Sequence, residues 1–585
     1  MRNYSRRFFN CLPRNFPKAQ PLAFAVSLAL LGGLPSVVYA QTRASNQQSQ
    51  VLDFNLPAGA LSQTLLQIGR TAGVVITVNA ELVKDKTASA VQGQFTAEQA
   101  LQRALVGTGL ELTKGDVGYS LRPAKTVGVL STVKVSGDAL TLATENSGSY
   151  TTPAISIGKT TQSLRETPQS VSVVTRERIE EQKLIDINDA LAQTPGVTME
   201  QWFGGESVKV MTRGFQVTSF RYDGGAPTRQ AGNKYTYLSS LLAFDHIEVL
   251  RGSDALFTGS GNPGGSVDLV RKRPTADDQL KFGLSAGSWN NFFADVDASG
   301  ALTESGTLRG RVAVEVQDRD YFYDTAENQR YGIYGVIEGD LSDRTQLTLG
   351  ATIQQEDATP WDGGGIPLYE DLTPLKVSRD TSFMADWNQR EVETNDIFAQ
   401  LNHQFENGWS LKADAFWRNE QSTGEVAEFG NVWFAMDANG LMPMGYTITM
   451  DDIEIEQTVV DVHLDGIVTL FGREHNLLFG LDWQDNSYVY ATVEAWGITE
   501  VDFHHFNAAN YPRFSQVNDD LKYVYNVPNL NQQLGAYASG RFALTDAWQL
   551  IVGSRMSNMA GNVDEDKNTF TPYLGTTYRL NNNYS

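Results

Sequence analysis

Histidines, carboxylate pairs and a cysteine are the residues that could do chemistry in this sequence of 585 residues, and their spacing assembles no catalytic group. The six histidines are His246, His403, His463, His475, His504 and His505, and no two have the helical spacing of a metalloprotease site. His504 and His505 are adjacent. Neighbours on an extended chain point to opposite sides, so they read as solvated loop residues. Asp451-Asp452 and Asp519-Asp520 read as surface charge. The single cysteine, Cys11, precedes an apolar run and is expected to be removed with it, leaving no thiolate nucleophile or ligand. A glycine-dense stretch, Gly259, Gly261, Gly264 and Gly265 with Pro263, invites a phosphate-cradle reading. No Gly-Lys-Ser/Thr follows it and no helical periodicity begins after it, so that reading fails. The chain is expected to be no enzyme and to need no cofactor or metal.

The elements around those glycines are strands. Ile247 and Val249 alternate with His246 and Glu248 until Arg251-Gly252, and Val267, Leu269 and Arg271 resume the alternation. Glycine at this density lets backbone turn tightly and approach other backbone closely. Upstream, Val208 to Phe215 reads as a strand interrupted at Arg213-Gly214, and Tyr222-Asp223-Gly224-Gly225 as a turn. Two short helices, Arg176 to Gln182 behind Thr175 and Ile187 to Ala192 behind Asp186, complete a compact unit.

The formal net charge of -22 argues against a nucleic-acid partner. Arg2, Arg6, Arg7, Arg14 and Lys18 precede an apolar run from Pro21 to Leu34, and Val38-Tyr39-Ala40 offers a cleavage site, so residues 1–40 are expected to be an export signal. After it, no stretch is apolar and long enough for a membrane-spanning helix, which leaves a barrel open, since alternating strands average out to polar.

From Val51 the pattern is α/β. A helix carries Leu61, Leu65 and Ile68 on one face and closes near Gly73. Val74 to Val78 reads as a buried strand, Thr96 and Gln99 as a capping box before Ala100, Leu101, Ala104 and Leu105, and Leu110–Thr113 with Tyr119–Leu121 as a hairpin. The opening FNLPAGALSQTLLQIGRTAG resembles the periplasmic N-terminal domain shared by secretins and signal-transducing TonB-dependent receptors. TPQSVSVVTRERI, ALAQTPGV, TRGF, YDGG, IEVLRG and a KRP ending, in that order, resemble the plug of a TonB-dependent outer-membrane receptor over nearly all of residues 160–274. A secretin-type channel shares the first module, but the plug pattern tells against it.

Beyond Asp278 the texture is amphipathic alternation, as in Leu308, Val312, Val314 and Val316 against Arg309, Arg311, Glu315 and Gln317. Short turns such as Ser342-Asp343, Asn407-Gly408 and Gly472-Arg473 alternate with far longer connections, the pattern of an outer-membrane barrel. Trp409, Trp417, Trp483 and Trp548 fall near strand ends, where aromatic girdles sit. Pairing turns with strands predicts about twelve strands, where the family's barrel has roughly 22, so the sequence is expected to be a fragment lacking about ten of them. The expected fold is an α+β periplasmic signalling domain and a mixed α/β plug, followed by an incomplete antiparallel transmembrane β-barrel. The expected boundaries are a signal peptide at 1–40, the signalling domain at 51–124, a linker at 125–156, the plug at 157–277 and the partial barrel at 278–585.

The resemblance implies import and signalling. It implies a TonB box at Thr132, Val133, Lys134 and Val135 that adds as a strand to the inner-membrane transducer TonB. It implies that Arg213 and Arg251 lock the plug to barrel glutamates by bidentate pairing. Contact with an anionic ferric siderophore is expected from aromatic faces at Trp202, Phe203, Tyr235 and Tyr237, from Arg229 and Lys234, and from loop residues Trp361, Trp387, Trp496 and Tyr511. The implied partners are a ferric siderophore, TonB, an inner-membrane anti-sigma regulator and outer-membrane lipid. Haem, cobalamin or a saccharide is the alternative ligand.

Overall fold

The structure is a computed structural model. It describes residues 52–581 and 585, apart from 75, 78–82, 85, 107, 109, 116–117, 124–133, 136–137, 140–141, 203–206, 230–239, 260–262, 360–365, 431–433 and 562–566. The chain divides into two compact units, Met1–Val127 and Gly128–Ser585.

In the first unit, helix Leu61–Ala72 ends on Gly73, whose left-handed φ of +66° suits a residue without a Cβ. Helix Ala97–Leu105 starts on the expected capping box, with Thr96 and Gln99 satisfying each other's backbone N–H. Leu61, Leu65 and Ile68 meet Leu101, Ala104 and Leu105 in one apolar core with Phe54 and Val91. Strand Leu52–Leu56 pairs antiparallel with Val91–Phe95, and Gly118–Pro123 lies between Ile76–Thr77 and Leu110–Gly115. The strand expected over Val74 to Val78 is Ile76–Thr77 among the described residues, and Ile76 is half-buried rather than buried.

The second unit holds a five-stranded sheet in the order Ser170–Val174, Phe244–Arg251, Gly265–Arg271, Ser219–Tyr222, Thr228–Arg229. Strand Phe244–Arg251 is central, and every residue from Phe244 to Leu250 is buried. Its polar alternates, His246 and Glu248, are therefore covered as fully as Ile247 and Val249, which alternation alone does not reveal. Helices Arg176–Glu181 and Ile187–Ala192 cover one face, where Ile179, Ile187 and Leu191 share a core with Ile247, Val249, Val267 and Leu269. Ile155 and Ile157 pack with Leu250 on another surface. Gly265 explains part of the glycine density. At φ +113°, a Cβ there would lie 1.9 Å from the Leu250 carbonyl oxygen, so only glycine lets the two strands close.

A twelve-stranded antiparallel sheet follows in simple meander order. Its strands are β1 (Gln279–Ala286), β2 (Phe292–Ala301), β3 (Leu308–Asp320), β4 (Glu327–Ser342), β5 (Thr345–Thr359), β6 (Gln389–Gln404), β7 (Ser410–Phe429), β8 (Tyr446–Leu470), β9 (Arg473–Ala495), β10 (Lys522–Ala543), β11 (Trp548–Gly561) and β12 (Lys567–Tyr578). Burial alternates along them. Leu280, Phe282 and Leu284 of β1 are exposed, while Arg309, Arg311 and Glu315 of β3 are buried. Apolar side chains outward and polar ones inward is the pattern of a lipid-facing sheet. β1 and β12 each pair on one side only among the described residues. Long connections gather at one end, where Leu441–Met442 pairs with Val501–Asp502 and an aromatic core of Phe383, Phe429, Tyr446, Phe503 and Phe514 forms.

Candidate functional site

The segment Thr144–Lys159, which leads into the plug, is tied down by buried carboxylates of the central strand. The ladder slips register at Asp245. The Asp245 carboxylate accepts the backbone N–H of Thr144 at 2.8 Å and of Glu145 at 2.9 Å. Glu248 accepts those of Ser156 and Ile157, both at 2.8 Å. His246 lies between the two acids, 2.6 Å from Asp245 and 3.2 Å from Glu248. Burial pushes an imidazole pKa down, but two carboxylates outweigh it and raise this one to about 10, so the ring is a cation at neutral pH. Asp268, 3.4 Å from Ser156 Oγ, is pushed up to about 6 by burial and by Glu248.

The same unit meets the long sheet through charge. Lys159 Nζ lies 2.7 Å from Asp461 of β8, both side chains wholly buried, and Tyr537 of β10 donates to the same carboxylate. Lys272 pairs with Asp297 of β2 at 2.8 Å, and Glu145 with Arg311 of β3 at 2.7 Å. Burial raises the Glu145 carboxyl, but Arg311 and Lys281 hold it well below the usual range. In the YDGG turn, Asp223 takes Arg271 at 2.8 Å and Gln400 of β6 at 2.9 Å, while Lys412 of β7 donates to its carbonyl. Burial raises Asp223 too, and Arg271 and Arg273 bring it down to about 2. Arg271 stands over the rings of Tyr222, Phe398 and Phe416. Removing either partner of such a pair leaves a buried charge alone, at a cost of about 3–5 kcal/mol.

The arginines expected to lock plug to barrel have these surroundings among the described residues. Arg251 spends its donors inside the plug, on Ser170, Ser172 and the Pro195 carbonyl, because it ends a strand whose neighbour is Ser170–Val174. Arg213 is exposed at a left-handed φ of +52°, with its guanidinium against Gly252. Neither reaches a barrel glutamate among the described residues. The Asp223–Gly225 turn is buried, with Asp223 held by Gln400 of β6 and Lys412 of β7. Trp202 ends strand Val197–Trp202 and Arg229 ends Thr228–Arg229. Phe203, Lys234, Tyr235, Tyr237 and Trp361 lie outside the described residues, as do Thr132 and Val133. Lys134–Val135 is a short strand paired with Asp138–Ala139. Trp387 and Tyr511 pack against the aromatic core of the long connections. His505 lies 3.1 Å from Asp502 and His504 accepts or donates at 2.8 Å to Tyr369, both at the loop end.

Lys159, Asp245, Glu248, Asp461 and Lys272 escaped the sequence reading. The KRP ending carried a signal for Lys272, and polar residues alternating in a strand that turns out to be central carried one for Glu248. Nothing local marks Lys159 or Asp461, because their partners lie hundreds of residues away.

Buried charge pairs thus join the plug to a sheet whose apolar side chains face outward. Residues 75–124 match the Secretin and TonB N terminus short domain, residues 163–266 the TonB-dependent Receptor Plug Domain, and residues 352–585 the TonB dependent receptor-like, beta-barrel family. The chain is 31% identical over 97% of its length to the ferric-pyoverdine BN7/BN8 receptor of Pseudomonas putida and covers 72% of that protein. It is 32% identical over 96% of its length to the ferripyoverdine receptor of Pseudomonas aeruginosa and covers 68% of it. The crystal structure of the Pseudomonas aeruginosa ferripyoverdine receptor bound to ferripyoverdine superposes with a TM-score of 0.69 at 29% identity, over 91% of this chain and 69% of that one. The FpvAI–pyocin S2 complex gives 0.70 at 29% identity, over 91% and 70%. With its periplasmic signalling domain, its plug and its membrane sheet, the chain belongs to the TonB-dependent outer-membrane receptors, a family of transporters and not of enzymes.

Proposed function

We propose that this receptor imports a ferric siderophore of the pyoverdine type and reports its occupancy to the periplasm. The observation that carries the reading is likeness to ferripyoverdine receptors across nine-tenths of the chain, signalling domain included. Thr132, Val133, Lys134 and Val135 form the segment that the transducer TonB engages, and an inner-membrane anti-sigma regulator reads the N-terminal domain. Strand pairing at Lys134–Val135 supports the first assignment, since strand addition draws on backbone hydrogen bonds. Trp202, Phe203, Arg229, Lys234, Tyr235 and Tyr237 are the plug residues that meet the chelate. Arg213 and Arg251 brace the plug around Gly252 and Ser170, where a lock to the wall would have to start.

The test is uptake of radiolabelled iron by cells whose own siderophore receptors are deleted and which express this protein. Ferric pyoverdines should accumulate only when TonB is present, and transcription from a reporter should follow only when residues 51–124 are present. Accumulation of haem or cobalamin, with none of any ferric siderophore, would overturn the reading.

A further inference from the structure

Two carboxylates and an imidazole converge on the inward side of β7 and β8. Asp461 and His463 are two residues apart on β8, so their side chains share a face, and Asp414 of β7 stands directly opposite Asp461. One ligand atom from each of the three lies within 4.8 Å of the other two. Asp461 and His463 are buried, and Asp414 keeps only 8% of its surface exposed.

The neighbours satisfy one carboxylate and leave the other bare. Lys159 Nζ lies 2.7 Å from Asp461 Oδ2, Tyr537 donates to the same carboxylate, and His463 Nδ1 is 2.9 Å from its Oδ1. Neither oxygen of Asp414 has a hydrogen-bond partner. Lys412 Nζ stands 3.4 Å from it but donates to the Asp223 carbonyl at 2.7 Å. Like charges directly opposite each other in a ladder repel, and a buried acceptor without a donor is costly. A cation bridging the two strands relieves both.

We infer that Asp414, Asp461 and His463 form a binding site for a divalent first-row transition ion, and that the Lys159 ammonium competes with the ion for Asp461. Two carboxylates and one imidazole suit zinc, cobalt, nickel, manganese or ferrous iron. Calcium prefers an all-oxygen shell and cuprous ions prefer sulfur. A small cavity lined in part by Asp414 has room for about one water molecule, which can supply a further ligand. Tyr537, by donating to Asp461, orients that carboxylate. Because one carboxylate serves both cations, binding of the ion weakens the hold on the ammonium, and the ammonium weakens binding of the ion. The ion is held by the protein's own side chains, whatever chelate the receptor imports.

Cobalt binding tests this in the purified, detergent-solubilised receptor. The parent for the test carries Cys11→Ser, together with His504→Gln and His505→Gln to remove the exposed loop imidazoles. Lys159→Met should bind cobalt at least about tenfold more tightly than this parent, read by calorimetry and by the visible absorption of the bound ion. Lys159→Arg keeps the competing charge and should bind as the parent does. Adding Asp414→Asn or His463→Gln to Lys159→Met should cancel the gain. Equal affinity with and without Lys159, or a gain that survives both ligand substitutions, overturns the inference. If Lys159→Met does not fold, His463→Cys in the parent decides. A thiolate on cobalt gives an intense near-ultraviolet charge-transfer band, which should appear with excess cobalt and be lost when Asp414→Asn is added. Absence of the band overturns the site, as does a band indifferent to Asp414.

Discussion

The N-terminal unit and the plug are both small α/β assemblies, yet they are held together by different chemistry. The first closes Leu61, Leu65 and Ile68 of one helix onto Leu101, Ala104 and Leu105 of another. The plug has an apolar core as well, but it also buries Arg221 against Asp254, His246 between Asp245 and Glu248, Arg271 against Asp223, and Lys159 against Asp461. Apolar packing is graded and non-directional, so losing one contact softens a core by degrees. A buried ion pair behaves as a switch, because a lone charge in the interior is far worse than either the pair or two hydrated ions. A signalling domain that keeps its shape suits the first chemistry. A plug fastened to a wall at single points suits the second.

The largest effect should come from stranding a charge in the plug. Arg221 is wholly buried, with Asp254 at 2.8 Å and Ser266 at 3.1 Å as its acceptors. Asp254→Ala should destabilise the plug by about 3–5 kcal/mol. Hydrogen exchange on the whole receptor would show it as lost protection in Ser219–Tyr222 and Gly265–Arg271, with helix Leu61–Ala72 unaffected. Equal loss in both units would erase the distinction between them.

A somewhat smaller effect is expected from Leu101→Ala in the N-terminal unit. Leu101 is fully buried, and truncating such a side chain costs about 2–5 kcal/mol in lost burial and residual cavity. Protection should fall across both of the unit's helices together and leave the plug strands as they were. Fraying confined to Ala97–Leu105 would mean that the two helices do not share one core.

This difference in chemistry also decided how much could be read from the sequence. Leu61, Leu65, Ile68 and the Thr96–Gln99 capping box are local patterns, and periodicity with capping finds them. The membrane strands were legible for the same reason, since alternation fixes which side chains face lipid. The plug–wall contacts were not. Lys159 meets Asp461 only because a meander brings β8 round to it, and no spacing along the chain encodes that. Arg251 shows the converse. Its motif was conspicuous, yet the acceptors it has among the described residues, Ser170, Ser172 and Pro195, are set by the strand it ends, which the motif does not encode. In strand Phe244–Arg251, alternation found the strand but not the burial of His246 and Glu248, because a central strand covered on both faces buries its polar residues too.

pH sharpens the contrast further. His246 has its pKa raised to about 10 from the ordinary 6.5, so its contribution is complete below about pH 6.5 and fades as the pH rises toward 10. Protection of the Ser156 and Ile157 amides should therefore decline across that interval. Lys272, which burial and neighbouring arginines lower to about 8, titrates in the same window. The difference between the parent and His246→Gln isolates the imidazole. The variant should start less protected at pH 6.5 and lose less on the way to pH 10. Parallel curves would show that His246 is neutral and that Asp245 and Glu248 hold the segment unaided.

The smallest effect tests the N-terminal unit at its edge. Thr96 accepts the Gln99 backbone N–H at 3.3 Å, and the Gln99 side chain accepts the Thr96 N–H at 3.1 Å. Thr96→Ala removes one half of this exchange and leaves an exposed helix end that water can partly satisfy, so the loss should be about 1 kcal/mol. Asp at the same position can accept the same N–H and adds a favourable charge at the helix N-terminus, so Thr96→Asp should restore the stability lost in the alanine variant. Because the cap is solvated, neither substitution should alter the cooperativity of the unit. In the plug, by contrast, removing a single acceptor is expected to unfasten a whole segment. If Thr96→Ala cost as much as Asp254→Ala, the N-terminal unit too would depend on single polar contacts, and the division between a packed domain and a latched one would fail.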